Sequence, residues 1–225
     1  MLNLYANAIV PFYDEISSSQ PAMKRFAIDI VLLPPDPVLD RVLEWNSMLC
    51  KTRPATIALD KKHYLPHISI VMGCLSEDRL EQANTILQSI AIQHNLLELQ
   101  APYISTVDTA SGNSVVSLDI DLSPELVRVH ETIVRAFRPL LTQDTIEADM
   151  HDPPPIDSSS LNWINHFIPN YCFQHYWPHI TLGFGEPPGH FQPFTFQASR
   201  LAICHLGNHC TCRKILAEVL LKPRI

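Results

Sequence analysis

The chain has 225 residues, 46% of them hydrophobic, with 19 prolines and a formal net charge of −7 with histidine neutral. That length can bury the core of one domain, or of one domain with two lobes. The acidic balance excludes a protein that coats DNA or long RNA, where basic surface supplies most of the affinity; a small nucleotide or one end of an RNA stays open.

Residues 1–23 are expected to form an N-terminal arm, and residues 24–225 a single domain. Asp14 and Glu15 interrupt the start of the chain, so neither a signal peptide nor an anchor is expected there. The greasiest stretch, residues 26–33, is strand-sized and far short of a membrane span. The expectation is a soluble, cytoplasmic monomer without membrane or DNA partners, its six cysteines mostly reduced. The strand over 26–33 ends at Pro34-Pro35. Asp36-Pro37 then supplies an N-cap and a proline at the first helical position, and Val38, Val42, Trp45 and Leu49 keep helical spacing to about Cys50.

A short strand is expected over 56–60, and Ser76 is placed to cap a helix striped by Leu80, Ala83, Leu87, Ile90 and His94. Residues 96–107 and 114–121 look like strands joined at a hairpin turn, Ser111-Gly112-Asn113. Ser123-Pro124-Glu125 opens a helix carrying Leu126, His130, Ile133, Phe137 and Leu140. An acidic, proline-rich insertion follows at about 142–160, expected to be a loop, then a short helix near 161–168. A closing hairpin runs over 196–206 and 209–221 about Gly207-Asn208.

One stretch occurs twice. Residues 62–73 read K-H-Y-L-P-H-I-S-I-V-M-G, and residues 174–185 read Q-H-Y-W-P-H-I-T-L-G-F-G. Half of the aligned positions are identical, including His63/His175, Tyr64/Tyr176, Pro66/Pro178 and His67/His179. Strand, helix and motif strand therefore appear in that order in both halves. The fold class expected is α+β: bilobal, with duplicated half-domains, two antiparallel sheets facing across a central groove, and helices outside.

On a strand, His67, Ser69 and Val71 share one face and Ile68, Ile70 and Met72 the other; His179, Thr181 and Gly183 likewise oppose Ile180, Leu182 and Phe184. Two such strands face to face would frame a space about the size of one phosphate. Histidine titrates near neutrality, so a pair can serve as base and acid at one pH. Ser69 and Thr181 can donate hydrogen bonds to the non-bridging oxygens of a phosphodiester. The scheme needs no metal and no cofactor, and favours a strained 2′,3′-cyclic ring. Tyr64, Tyr176 and Trp177 are candidate stacking platforms for a base, and Lys61, Lys62 and Arg25 candidate attractors of an anion.

Rival metal readings are weaker. His63 and His175 lie four residues before His67 and His179, a spacing that converges on a helix but spreads by about 13 Å on a strand, and proline intervenes. Cys204, His205, His209, Cys210 and Cys212 resemble a zinc cluster, but hairpin alternation sends them to opposite faces.

The doubled tetrads, His67-Ile68-Ser69-Ile70 and His179-Ile180-Thr181-Leu182, resemble the 2H phosphoesterase superfamily, in particular its 2′-5′ RNA ligase and 2′,3′-cyclic phosphodiesterase branch. The resemblance covers roughly residues 25–221. It implies a bilobal fold and metal-independent cleavage of an RNA-type phosphodiester by the tetrad residues, on a nucleotide or RNA-end substrate, including ADP-ribose 1″,2″-cyclic phosphate. It also leaves open a ligase, an oligonucleotide phosphodiesterase, or a binding module without turnover. Some members of the superfamily carry an arginine shortly after each tetrad; here those positions read Val71-Met72-Gly73 and Gly183-Phe184-Gly185. As a working assignment, His179 activates water and His67 protonates the leaving oxygen.

Overall fold

The computed structural model describes residues 23–52, 57–108 and 114–223. The expected arm therefore lies outside the described residues except for Met23, as does the turn at 111–113. Strand β1 (Arg25–Leu33) is buried on both faces and leads into α1 (Asp36–Thr52), whose apolar stripe is the one the spacing predicts. No strand forms over 57–60. Instead the Asp60 carboxylate accepts the backbone N–H groups of Lys62, His63 and Tyr64, a side-chain-capped turn that launches the first motif.

The motif strand β2 (Ile68–Ser76) is followed by a 3-10 turn at Glu77–Arg79 and by α2 (Leu80–Gln93). Ser76 gives its hydroxyl to Asp78 and does not cap the helix. The long strand expected over 96–107 divides at Pro102 into β3 (Leu97–Ala101) and β4 (Ile104–Asp108); proline cannot donate to a ladder. After β5 (Ser114–Asp119), the Ser123 hydroxyl accepts the Leu126 N–H at 3.1 Å and opens α3 (Pro124–Phe137).

The insertion is better anchored than a solvated loop. It pairs with β2 through β6 (Leu141–Thr142). Arg25 holds Asp144 at 3.1 Å and Asp149 at 2.7 Å, and Arg213 holds Asp152 at 3.2 Å. Then come α4 (Ser158–Asn165), α5 (Phe167–Tyr171) and the second motif strand β7 (His179–Phe184). The first arm of the closing hairpin divides at Ser199 into β8 (Phe194–Ala198) and β9 (Arg200–Leu206), ahead of β10 (Cys212–Leu220).

Antiparallel pairing gives the path β10-β9-β1-β2-β7-β5-β4, with β3 and β8 as a separate pair. The path has two halves. β10-β9-β1-β2 carries the first motif, β7-β5-β4 the second, and β2 meets β7 at Ile68↔Ile180. The helices lie outside the strands, and each connecting helix crosses over: α1, which follows β1, packs on β7, while α3, which follows β5, packs on β2. Asn46 of α1 makes this explicit by donating to the Leu182 carbonyl at 2.7 Å. Among the described residues no helix is long and apolar enough to cross a membrane.

Candidate active site

Both motif histidines are set by the same local device. Proline precedes each, and the ring Nδ1 lies 2.8 Å from the Leu65 carbonyl for His67 and 3.0 Å from the Trp177 carbonyl for His179. A carbonyl only accepts, so Nδ1 carries the hydrogen in both rings and Nε2 keeps its lone pair. Each ring is thereby fixed in orientation and tautomer by its own backbone.

The meeting of the two halves brings the tetrads together. Ile68 and Ile180 are paired and fully buried. One residue to either side, antiparallel geometry sets His67 opposite Thr181 and Ser69 opposite His179, all on the other face. The four side chains are half-buried, as a groove floor requires. The histidines occupy one diagonal of this quartet, with Cβ atoms roughly 7 Å apart by sheet geometry, and a charge on His179 opposes one on His67. Ser69 and Thr181 take the opposite diagonal.

The strict alternation expected of these strands fails just past the hydroxyls, and it fails identically in both copies. Against β1 the register steps from Ile30↔Val71 to Val31↔Ser69, and against β5 from Val116↔Gly183 to Ser117↔Thr181. Ile70 and Leu182, equivalent positions of the repeat, are the extra residues of two bulges. A bulge bends its strand and re-aims the side chains beside it. In the second copy Gly183, at φ +136°, takes up the distortion in a conformation that a side chain would oppose.

Around this shared frame the two sites differ. His67 Nε2 lies 3.7 Å from Oδ2 of Asp29, a β1 residue with no solvent exposure. His179 is stacked by Trp177, ring centroids 4.1 Å apart, whose indole N–H donates to the Asp119 carboxylate. Burial pushes both imidazoles down from the ordinary histidine range, His67 to about 4; the Trp177 carbonyl and Asp119 oppose the fall at His179. Burial pushes the Asp29 carboxyl well up, against the pull of Ser69 and of the Ile70 and Val71 backbone.

The three aromatic candidates separate. Trp177 is 38% exposed beside His179 and presents an open ring face. Tyr176 is buried: it stacks on His130 of α3 at 3.7 Å and donates its hydroxyl to the Ser69 carbonyl at 3.1 Å, so it braces the two halves. The Tyr64 ring carries the Arg213 guanidinium at 3.6 Å. Of the candidate anion attractors, Arg25 is engaged by the insertion's carboxylates and Lys61 by Asp40 at 2.6 Å. Lys62 lines a cavity of about 370 Å³ together with Lys214, Arg213 and Pro66. Among the described residues no three or more His, Cys, Asp or Glu side chains are arranged to hold a metal ion.

Asp29, Asp119 and His130 escaped the sequence reading. Asp29 had a signal, a lone acid inside a nine-residue strand otherwise apolar after Arg25. His130 stood on the apolar stripe of α3 with nothing to mark its partner.

No protein-family model matches the chain, and no curated protein matches its sequence. Solved structures do match its fold. TT0787 of Thermus thermophilus superposes with a TM-score of 0.53 at 12% identity, over 88% of this chain and 100% of that one. Escherichia coli LigT in complex with 3′-AMP gives 0.51 at 12% identity, over 88% and 99%. The chain has the LigT fold. That agrees with the bilobal α+β architecture that the 2H resemblance implies. LigT has also been solved with NADP+, at a TM-score of 0.50 and 12% identity over the same shares.

Proposed function

We propose that this chain is a 2H-type phosphodiesterase that opens 2′,3′-cyclic (or ADP-ribose 1″,2″-cyclic) phosphates on nucleotides or RNA ends, with His67 and His179 as acid and base. The observation that carries the reading is the pairing of two imidazoles, each with Nδ1 tied to a carbonyl and Nε2 available, on one face of strands that meet at Ile68↔Ile180. One Nε2 takes a proton from the attacking water while the other gives one to the departing ribose oxygen. Ser69 and Thr181 donate to the non-bridging oxygens, where charge develops in the transition state. The LigT complexes with 3′-AMP and NADP+ fit a nucleotide-sized substrate for this fold, and the open face of Trp177 suits a stacked base.

The chemistry is complete with these four side chains. Turnover of 2′,3′-cyclic nucleotides is therefore expected to persist in excess EDTA and to give a phosphomonoester. Loss of activity on chelation, restored by a divalent ion, or binding of a substrate panel without turnover, would each overturn the proposal.

A further inference from the structure

Asp29 is a fully buried carboxyl group whose oxygens make no well-formed hydrogen bond, only loose approaches from the Ser69 hydroxyl and the Ile70 and Val71 backbone. An unpaired carboxylate at such a site costs several kcal/mol. A buried polar side chain left in that state calls for a reason. The atom it faces is Nε2 of His67, 3.7 Å from Oδ2, while Nδ1 of the same ring is committed to Leu65. His179 differs: the residue of β5 that corresponds to Asp29 in the bulge register is Val115, and the carboxyl paired with it, Asp119, is already engaged by the Trp177 indole N–H.

The other groups around Asp29 bring no cation. They are the Ser69 hydroxyl and the Ile70 and Val71 backbone on β2, Tyr176 ahead of β7, Cys172 after α5, Cys210 just before β10, Cys212 at its start, and Cys204 opposite on β9. Burial raises Cys172, Cys210, Cys212 and Tyr176, keeping them neutral. Arg25, on the same strand, is held by Asp149 and Asp144. Among the described residues, the group placed to compensate an Asp29 carboxylate is the imidazolium of His67.

We propose that Asp29 and His67 hold one proton between them, and that this shared proton makes His67 the acid of the reaction and leaves His179 as the base. The inference rests on the phosphodiesterase reading for its chemistry and on the geometry for the shared proton. The proton passes from Asp29 Oδ2 to His67 Nε2, leaving a carboxylate and an imidazolium. Nε2 then gives it to the leaving ribose oxygen as the P–O bond breaks. His179 Nε2 takes a proton from the water whose oxygen bonds to phosphorus. After the product leaves, solvent carries a proton from His179 back to the pair. Asp29 acts through His67 and is a positioning residue in this scheme.

The test has two arms, both on the full chain. The first is an NMR titration of His67 in wild-type protein and in Asp29→Asn, without substrate. A shared proton predicts a wild-type transition at least one pH unit above that of Asp29→Asn, where the ring keeps its burial and loses the carboxyl. Identical titrations overturn the proposal.

The second arm compares a 2′,3′-cyclic nucleotide with a nitrophenyl phosphodiester, whose leaving group needs little help from an acid. Asp29→Asn is expected to lower kcat about 10- to 100-fold at pH 7 on the cyclic substrate, the usual scale of general acid catalysis. KM changes less than about threefold, the alkaline limb of the pH profile moves down, and the aryl substrate is spared. Equal losses on both substrates would mean that Asp29 only holds the fold, and would sink the acid role. Asp29→Ala, which leaves a small cavity in place of an amide, gives the same pH signature if the role is protonic. Absence of any turnover by the wild-type protein removes the phosphodiesterase reading and the acid role with it, while the titration still decides the shared proton.

Discussion

The two motif segments share a backbone and differ in what stands behind each imidazole. In both, a carbonyl two residues upstream fixes Nδ1, and a bulge follows the hydroxyl residue. Beyond that the copies part. His67 lies over a buried carboxyl, whereas His179 lies under an exposed indole whose N–H is anchored to Asp119. The aligned tyrosines diverge too, Tyr64 taking a guanidinium and Tyr176 a stacked histidine. Duplication supplied the backbone that sets both imidazoles on one face, and the unduplicated neighbours are where the proposed acid and base would come to differ. A symmetric pair would have no reason to favour one direction of proton flow.

The broadest break removes either ring. His67→Ala or His179→Ala is expected to lower kcat/KM on a 2′,3′-cyclic nucleotide by about 10²- to 10⁴-fold. The double variant should fall little further, because groups that act as a unit do not add. If one single variant keeps near-wild-type activity, the pairing is wrong. Next in size are the hydroxyls. Thr181→Ala and Ser69→Ala each remove a donor to the non-bridging oxygens, for about 10² in kcat, and Thr181→Ser should restore most of the loss. A rise in KM with kcat unchanged would assign these groups to ground-state binding.

The third prediction concerns the contact that ties the halves together. His130 is buried, its ring pushed down to about 4 by burial, and its Nε2 accepts the Phe173 N–H at 2.9 Å while the ring stacks on Tyr176. Its folded value lies below the unfolded one, near 6.5. Its stabilising contribution is therefore fully present above pH 6.5 and is lost as pH falls from 6.5 toward 4, by up to about 3 kcal/mol. His130→Gln keeps an acceptor and does not titrate. In urea unfolding it should be less stable at pH 7 yet flatter across this acid range. An unchanged slope would show that His130 is not the group responsible.

Much of this was legible in the residues. Helix α1 appears where its apolar spacing and Asp36-Pro37 place it, and the meeting of the two motif strands at Ile68↔Ile180 follows from a repeat that no single tetrad could have established. The breaks at Pro102 and Ser199 were not legible, because each lies inside a run with strand character throughout and the two pieces go to different sheets. The paired bulges were hidden for a related reason: Ile70 and Leu182 look like ordinary alternating positions until a partner strand shows one residue too many. Pairing across long sequence separations also hid Asp29. Its chemistry depends on a ring 38 positions away in the chain, and an acid in an apolar strand announces only that something faces it.

The smallest expected effect tests whether the first copy also serves the length of the substrate. Neither motif is followed by an arginine, so a further phosphate on an RNA end needs another cation. Next to Pro66, Lys62 and Lys214 reach the same 370 Å³ cavity from the motif loop and from β10. Lys61, Arg200 and Arg213, on the same walls, already have carboxylate partners. Exposed lysines at high dielectric are worth about 1 kcal/mol or less each toward a nearby phosphate, screened by salt. Lys62→Glu with Lys214→Glu is therefore expected to raise KM about two- to tenfold for a dinucleotide ending in a cyclic phosphate, and by less for the mononucleotide. The gap should close as ionic strength rises. If both substrates lose equally at low salt, the lysines act through the general field of the protein, and the cavity has no part in reading the second phosphate.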